Sequence, residues 1–172
     1  MNFGLRILDC GLLRDFKFLK NFITKYLKMK NEPFVIERTF NAPAETIWKA
    51  LTDKDEMKKW YFKLAEFKPE VGFEFSFEGG SETKTYIHLC SIKEVIPNKK
   101  LSYTWSYKDY PGMSLLTFEL IPEGEKTKLK LTHEGLESFP KDSPDFARTS
   151  FEKGWTYIIG KSLSEYLEND PI

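Results

Sequence analysis

The sequence is short of cysteine and histidine and contains no long apolar run. Its 172 residues include two cysteines and two histidines, and neither their number nor their spacing indicates a disulfide framework or a set of metal ligands. No apolar stretch approaches the ~20 residues of a membrane span. Charged residues near the N-terminus also interrupt any apolar core of a signal peptide. We therefore expect a cytoplasmic protein without a membrane span, a bound metal or a cofactor.

An excess of charge of either sign is also missing. The 26 Lys and Arg residues balance 26 Asp and Glu residues, so the usual electrostatic indication of a nucleic-acid partner is absent. The balance hides an asymmetry, because residues 1–30 contain seven basic and two acidic residues, a net charge of +5, and the remainder carries −5. We expect residues 1–30 to be a basic amphipathic N-terminal extension and residues 31–172 to be the folded domain.

The extension allows two interpretations. Apolar residues recur every three or four positions along "LLRDFKFLKNFITKYLKMK", a pattern typical of an amphipathic helix with a basic opposite face. Such a helix could bind a membrane surface or a partner protein. The favoured interpretation is a loosely packed appendage, or an upstream stretch that results from choosing too early a start codon, since Met29 opens a segment typical of a natural beginning.

Aromatic residues are abundant, at 16% of the chain, and two groups of them alternate with polar residues. Strict alternation is typical of a strand with one buried face. In "GFEFSFEGG" and "KLSYTWSY" the alternating residues are Phe73, Phe75 and Phe77, and Tyr103, Trp105 and Tyr107.

The order of the predicted elements indicates the fold class. A strand at 33–40 precedes two short helices, at 41–51 and 54–62, and a meander of about five or six strands follows. Asn41 can cap the first short helix, and Thr52 or Asp53 can cap the second. The chain closes with a long amphipathic helix at about 145–168, whose apolar stripe includes Trp155 and Ile159. Because the apolar face of such a sheet needs a cover, we predict an α+β fold in which a curved antiparallel sheet wraps around the C-terminal helix.

Four segments in this order resemble a known family: "RTFNAPAETIWKALTDKDEMKKWY", "KEVIPNKKLSYTW", "TKLKLTHEGL" and "GWTYIIGKSLSEYL". Together they are similar to the START-like, Bet v 1-like (SRPBCC) helix-grip superfamily. More narrowly, they resemble the domain family named after the C-terminal domain of the activator of Hsp90 ATPase homologue 1. The resemblance implies a helix-grip fold with a hydrophobic cavity between the sheet and the C-terminal helix. Cys90 stands near a position that the family usually gives to a small residue, often Gly.

Few residues suggest catalysis. His133 shares the inward face of its strand with leucines, where it could orient a ligand or act as a base, but a hydrogen-bonded structural histidine is favoured. His88 is the only other candidate base. Cys90 lacks a neighbouring pattern that would activate it, so we expect a buried, inert thiol.

The candidate ligand-binding residues are the inward-facing aromatic residues and their neighbours, because tyrosine and tryptophan carry polar groups that are costly in a dry core. For Phe75, Phe118 and Trp155, the sequence favours neither a role in core packing nor a role in the cavity wall. Trp48 is expected to be structural core, whereas Trp60 and Tyr61 are expected near the mouth of the cavity. The predicted cavity residues are Trp60, Tyr61, Phe75, Phe77, Tyr103, Trp105, Phe118, His133, Trp155 and Ile159.

Three functions are compatible with these observations. The favoured one is a small binding protein that holds a hydrophobic or aromatic molecule, with a stress-related role as one interpretation. The alternatives are a protein-interaction module with a chaperone as candidate partner and, third, a cyclase-type enzyme. Binding is favoured over catalysis because the sequence offers no strong acid–base pair. No sequence feature indicates an oligomeric state.

Overall fold

The computed structural model describes Leu19, residues 32–80 and residues 84–169. The chain divides into two compact units, Met1–Glu32 and Pro33–Ile172, and all elements below belong to the second. The helix predicted within residues 1–30 lies, apart from Leu19, outside the described residues. Among the helices that the structure describes, none has the length and apolar character needed to cross a membrane.

Six antiparallel strands form one sheet. The N-terminal strand pairs with the last strand, and the other five follow one another as a meander in the order β1-β6-β5-β4-β3-β2. The strands are β1 (Phe34–Phe40), β2 (Glu74–Gly80), β3 (Thr85–Ile96), β4 (Lys100–Tyr107), β5 (Tyr110–Glu123) and β6 (Lys126–Glu134).

The predicted alternation sets the two faces of this sheet. On β4, Tyr103, Trp105 and Tyr107 are buried, whereas Thr104 and Ser106 between them are partly exposed. The register shifts at Ile92/Glu94 and again at Trp105/Tyr107. Such irregularities bend a sheet, and the resulting curved sheet presents its concave, apolar face to a helix, as predicted.

Two short helices follow β1: α1 (Ala44–Thr52) and α2 (Lys54–Trp60). Of the two residues expected to cap α2, Thr52 and Asp53, Asp53 is the cap. Its carboxylate accepts hydrogen bonds from the backbone N–H groups of Asp55 at 2.8 Å and Glu56 at 3.1 Å. The predicted Asn41 cap of α1 is wrong, since Pro43 occupies the N-cap position and no side chain caps this end.

The C-terminal helix comprises α3 (Arg148–Tyr157), a π-helical turn (Ile158–Ser162) and α4 (Leu163–Asn169). It begins three residues later than predicted, because Ala147 is extended and Pro144–Phe146 forms a separate 3-10 turn. A second 3-10 turn, Leu136–Ser138, follows β6.

The core lies between the concave face of the sheet and this helix. Trp155, Ile159 and Leu163 of the helix are at most 2% exposed. Trp48 of α1, expected to be structural core, is half-buried and packs against the core from outside. The predicted apolar stripe of the final helix is therefore the surface on which the sheet closes.

Candidate functional site

A cleft of about 360 Å³ lies between the sheet and the first half of the C-terminal helix. It opens to solvent beside the exposed residues Ser150 and Lys153. The sheet contributes Gly79, Gly80, Tyr86, His88, Trp105 and Tyr107. The helix contributes Ser150, Phe151, Lys153, Gly154, Trp155 and Ile158. Phe62, Asp145 and Phe146 complete the lining from the connecting segments.

Two glycines set the shape of the cleft. Gly154 lies on the helix face that borders the cleft, and a Cβ added there would meet no atom within 4 Å. At Gly79, the third inward position of β2, a Cβ would come within 2.9 Å of Phe62 and 3.0 Å of the His88 ring. Because Gly154 has no side chain, the cleft beside it stays open. Because Gly79 has no Cβ, the rings of Phe62 and His88 can lie close to β2.

His88 lies at the centre of an aromatic cluster beneath the cleft. Its ring stacks on Phe77 at 4.4 Å between centroids with an interplanar angle of 8°. Trp105 and Tyr107 contact the same imidazole, each at 4.7 Å between centroids. The walls are thus flat and largely apolar, which suits a planar ligand.

Two ring nitrogens in this cluster lack hydrogen bonds of acceptable geometry: His88 Nδ1 and Trp105 Nε1. Burial lowers the pKa of His88 to about 4, and the carbonyls of Phe77 and Tyr86, which favour the imidazolium, only partly oppose this. The imidazole is therefore neutral near pH 7. Burial raises the pKa of Tyr107, and the nearby Trp105 N–H partly opposes this rise. The Trp105 N–H and the Tyr107 hydroxyl do not form a hydrogen bond of acceptable geometry.

The rim of the cleft carries charge. The Tyr86 hydroxyl donates a 2.6 Å hydrogen bond to Asp145, and the ammonium group of Lys84 lies 3.7 Å from the same carboxylate. Burial, followed by the bond to Asp145, raises the pKa of Tyr86. Lys84 also lies over the Tyr86 ring, at 4.8 Å from its centroid. The charged groups therefore surround the opening, and the interior is aromatic.

His133 has a different role from His88. Trp155 Nε1, which can only donate, donates to His133 Nδ1 at 3.0 Å, so the proton of the neutral ring is on Nε2. That Nε2–H donates to the Ser114 hydroxyl at 2.7 Å, and Ser114 donates to the Trp105 carbonyl at 3.2 Å. Burial lowers the pKa of His133 to about 3. Both of its nitrogens are used inside the core, which makes it a structural histidine.

The structure brings two of the ten predicted cavity residues, Trp105 and Trp155, to the cleft. Trp60 does not lie at the mouth: it is 6% exposed and its indole N–H donates to the Ala50 carbonyl at 3.1 Å. Tyr61 is half-buried and shares a 3.1 Å hydrogen bond with the Tyr103 hydroxyl. The others are buried beside the cleft and do not line it: Phe75, Phe77, Tyr103, Phe118, His133 and Ile159.

The predicted cavity residues and the observed lining differ because alternation along a strand identifies the side chains that face inward. It does not identify which of those side chains border the cleft. Tyr86 and His88 alternate inward on β3, and Tyr107 follows Trp105 on β4, so the same pattern could have included them. Asp145 and Phe146 lie in a short 3-10 turn, which gives no periodic signal.

Other chemistry is not supported by the described part of the chain. Cys90 is buried, and burial raises the pKa of its thiol, as expected for an inert cysteine. No three His, Cys, Asp or Glu side chains among the described residues are grouped as metal ligands. The geometry is that of a binding cleft with a neutral imidazole at its base.

Comparison with solved structures places the fold among known proteins. Protein MLL2253 from Mesorhizobium loti is 29% identical, with a TM-score of 0.66, and the match covers 82% of this chain and 100% of that one. CV1439 from Chromobacterium violaceum is 23% identical with a TM-score of 0.68, covering 81% and 99%. CalU16 from Micromonospora echinospora is 21% identical with a TM-score of 0.62, covering 80% and 77%.

No curated protein matches the chain significantly. A family model does match it, over residues 41–168, which span both short helices, the last five strands and nearly all of the C-terminal helix. The chain therefore belongs to the family of the activator of Hsp90 ATPase homolog 1-like protein.

Proposed function

We propose that this chain is a binding protein that holds a small apolar or aromatic molecule in the cleft between the sheet and the C-terminal helix. The observation that carries the proposal is the aromatic-walled cleft of about 360 Å³. Ligand sites typically measure roughly 300–1,000 Å³. An engineered apolar cavity of about 150 Å³ accommodates benzene. The larger cleft suits a ligand of two or three fused or linked rings.

The expected affinity follows from the size of such a ligand. A two-ring molecule has about ten non-hydrogen atoms, each contributing between roughly 0.3 and 1.5 kcal/mol of binding free energy at the limits seen for small ligands. Contributions of about 0.55–0.8 kcal/mol per atom, which lie inside this range, correspond to a Kd between about 1 and 100 μM. Titrations should therefore cover this interval.

The test uses N-phenyl-1-naphthylamine, an uncharged probe whose fluorescence rises in apolar sites. Gly154→Leu places a side chain where the glycine leaves open space, so we expect at least about a tenfold loss of probe affinity. Thr156→Leu is the matched control, since Thr156 is exposed on the same helix and does not line the cleft. Equal binding by the wild type and both variants, or no binding by any of them, would contradict the proposal.

A second candidate, a protein-interaction module, is supported by the outer face of the sheet. Leu89 of β3 and Met113 of β5 are 41% and 59% exposed and border the same shallow groove. The family name suggests a chaperone as the partner. Calorimetric titration of the full chain with purified Hsp90 tests this alternative, and Leu89→Lys should weaken any binding that uses the groove.

A further inference from the structure

Two buried His–Trp pairs in this molecule differ in one respect. In the first pair, Trp155 donates to His133, and a serine and a carbonyl complete the chain. In the second pair, the ring centroids of His88 and Trp105 are 4.7 Å apart, closer than the 5.9 Å of the first pair, and the ring planes are tilted almost equally, by 77° against 74°. Neither His88 Nδ1 nor Trp105 Nε1, however, has a partner of acceptable geometry.

Unsatisfied buried nitrogens are rare in folded proteins and need an explanation. Among the described residues, three buried side-chain polar atoms lack a partner, and two of them belong to this pair. Both residues line the cleft, at 5% and 4% exposure. The two nitrogens are therefore polar groups at the base of the candidate binding site, where they could orient a ligand.

We propose that the cleft selects neutral planar molecules that carry a hydroxyl or carbonyl oxygen, bound with that oxygen directed at His88 Nδ1 and Trp105 Nε1. This inference rests on the proposed function, because it names the ligand class of the same site. An indole N–H can only donate, so it requires an acceptor on the ligand, and both kinds of oxygen supply one. A neutral imidazole nitrogen can accept from a hydroxyl or donate to a carbonyl.

The surroundings of the pair disfavour a charged group. His88 is enclosed by the rings of Phe77, Trp105 and Tyr107, whereas Asp145 and Lys153 lie at the rim. A carboxylate or ammonium moved to the base of the cleft would lose its hydration without gaining an opposite charge. Charged groups on the ligand would therefore remain at the rim.

Phe62 is the lining side chain that we expect to move when a ligand oxygen reaches the base of the cleft. It is half-buried, lies in the irregular segment after α2, and its ring is 5.9 Å from that of His88 and 4.4 Å from that of Phe77. Its ring neighbours in the sheet, Phe77 and His88, are buried, and its other ring neighbour, Tyr61, is half-buried. We therefore expect the Phe62 ring to be the one that moves when an oxygen approaches the two nitrogens.

The experiment compares 2-naphthol with 2-methylnaphthalene, which have nearly the same shape but differ in the oxygen. Binding to the full chain is measured by calorimetry and by the indole N–H signals in ¹H–¹⁵N NMR spectra. We expect 2-naphthol to bind about tenfold more tightly, the size of effect that one satisfied buried hydrogen bond produces. The Trp105 N–H signal should move further downfield with 2-naphthol than with 2-methylnaphthalene, whose ring current alone also shifts it. The Trp60 N–H, which is hydrogen-bonded away from the cleft, serves as the reference signal.

Three variants complete the test. His88→Phe and Trp105→Phe each remove one of the two unsatisfied nitrogens and keep an aromatic ring, so both should reduce the preference for 2-naphthol to about twofold or less while 2-methylnaphthalene still binds. Trp60→Phe, which removes a buried indole N–H away from the cleft, should keep the tenfold preference. Should either cleft variant be unfolded, the wild-type Trp105 N–H shift decides the outcome.

The outcomes separate this inference from the proposed function. Equal binding of the two compounds, with no selective shift of the Trp105 N–H, overturns the oxygen-directed site but leaves an apolar binding cleft. A preference that persists in both cleft variants also overturns it. Binding of neither compound, together with no binding of N-phenyl-1-naphthylamine, overturns the proposed function itself.

Discussion

Mild acid should destabilise this protein because its two histidines are buried in the neutral form. Burial lowers the pKa of His88 to about 4 and that of His133 to about 3, whereas an unfolded histidine titrates near 6.5. Above pH 6.5 both states are neutral and no penalty applies. Between pH 6.5 and 4, only the unfolded state takes up these protons, so the free energy of unfolding falls as the pH falls.

The magnitude follows from the two pKa values. Each histidine contributes a slope of about 1.4 kcal/mol per pH unit within this window. Integrated from pH 7 to pH 5, this amounts to about 2 kcal/mol for each histidine and about 4 kcal/mol for both. A domain of this size has a total stability of roughly 5–15 kcal/mol, so the loss is a large fraction of it.

Urea unfolding followed by far-UV circular dichroism at pH 5, 6 and 7 measures this effect as a shift of the midpoint at constant m-value. His88→Phe keeps the stack on Phe77 and removes one titrating group, so we expect it to lose about 2 rather than about 4 kcal/mol between pH 7 and pH 5. The same pH dependence in the variant and the wild type would refute the argument that His88 is held neutral by burial.

Three further predictions concern stability. Trp155→Phe should cost about 1–3 kcal/mol because it leaves His133 Nδ1 without its donor, and chemical denaturation should show this loss; an unchanged stability would contradict the hydrogen-bonded role of His133. Gly154→Ala should raise the free energy of unfolding by about 0.5–1 kcal/mol, since a glycine inside a helix is unfavourable and the Cβ has room; a lower melting temperature in calorimetry would argue against that space. Residues 31–172 alone should unfold cooperatively within a few degrees of the full chain, because the whole sheet and its covering helix lie there; loss of a cooperative transition would show that the N-terminal segment completes the core.

Much of the fold follows from periodicity in the sequence. The alternation of Tyr103, Trp105 and Tyr107 with small polar residues predicts the inward face of β4, and all three are buried. The three-to-four spacing of Trp155 and Ile159 predicts the buried stripe of the C-terminal helix in the same way. These predictions succeed because the period of a strand or helix is a local property, which the chain expresses within a few residues.

Local signals were less reliable at the ends of elements. Asp53, one of the two caps predicted for α2, does cap it, because capping depends only on the next three residues. Asn41 does not cap α1, and the C-terminal helix begins at Arg148 after the extended residue Ala147. Helix ends are decided by competing turns of similar free energy, so short-range patterns locate them only to within a few residues.

The cleft itself was decided by tertiary structure. Its open space borders Gly154 of the helix, which has no side chain to fill it, and the rings of Phe62 and His88 lie close to β2 because Gly79, 75 positions away in the chain, has no Cβ. Likewise, the sequence places both His88 and His133 on predicted strands and does not show which of them is hydrogen-bonded in the core. Both ring nitrogens of His133 are hydrogen-bonded because the fold places Trp155 and Ser114, from other elements, beside them. No side chain among the described residues is placed in this way beside His88, whose Nδ1 lacks a hydrogen-bond partner at the base of the cleft. Whether an inward side chain packs or binds depends on what the opposite element places against it, and that information is not local to any segment of the chain.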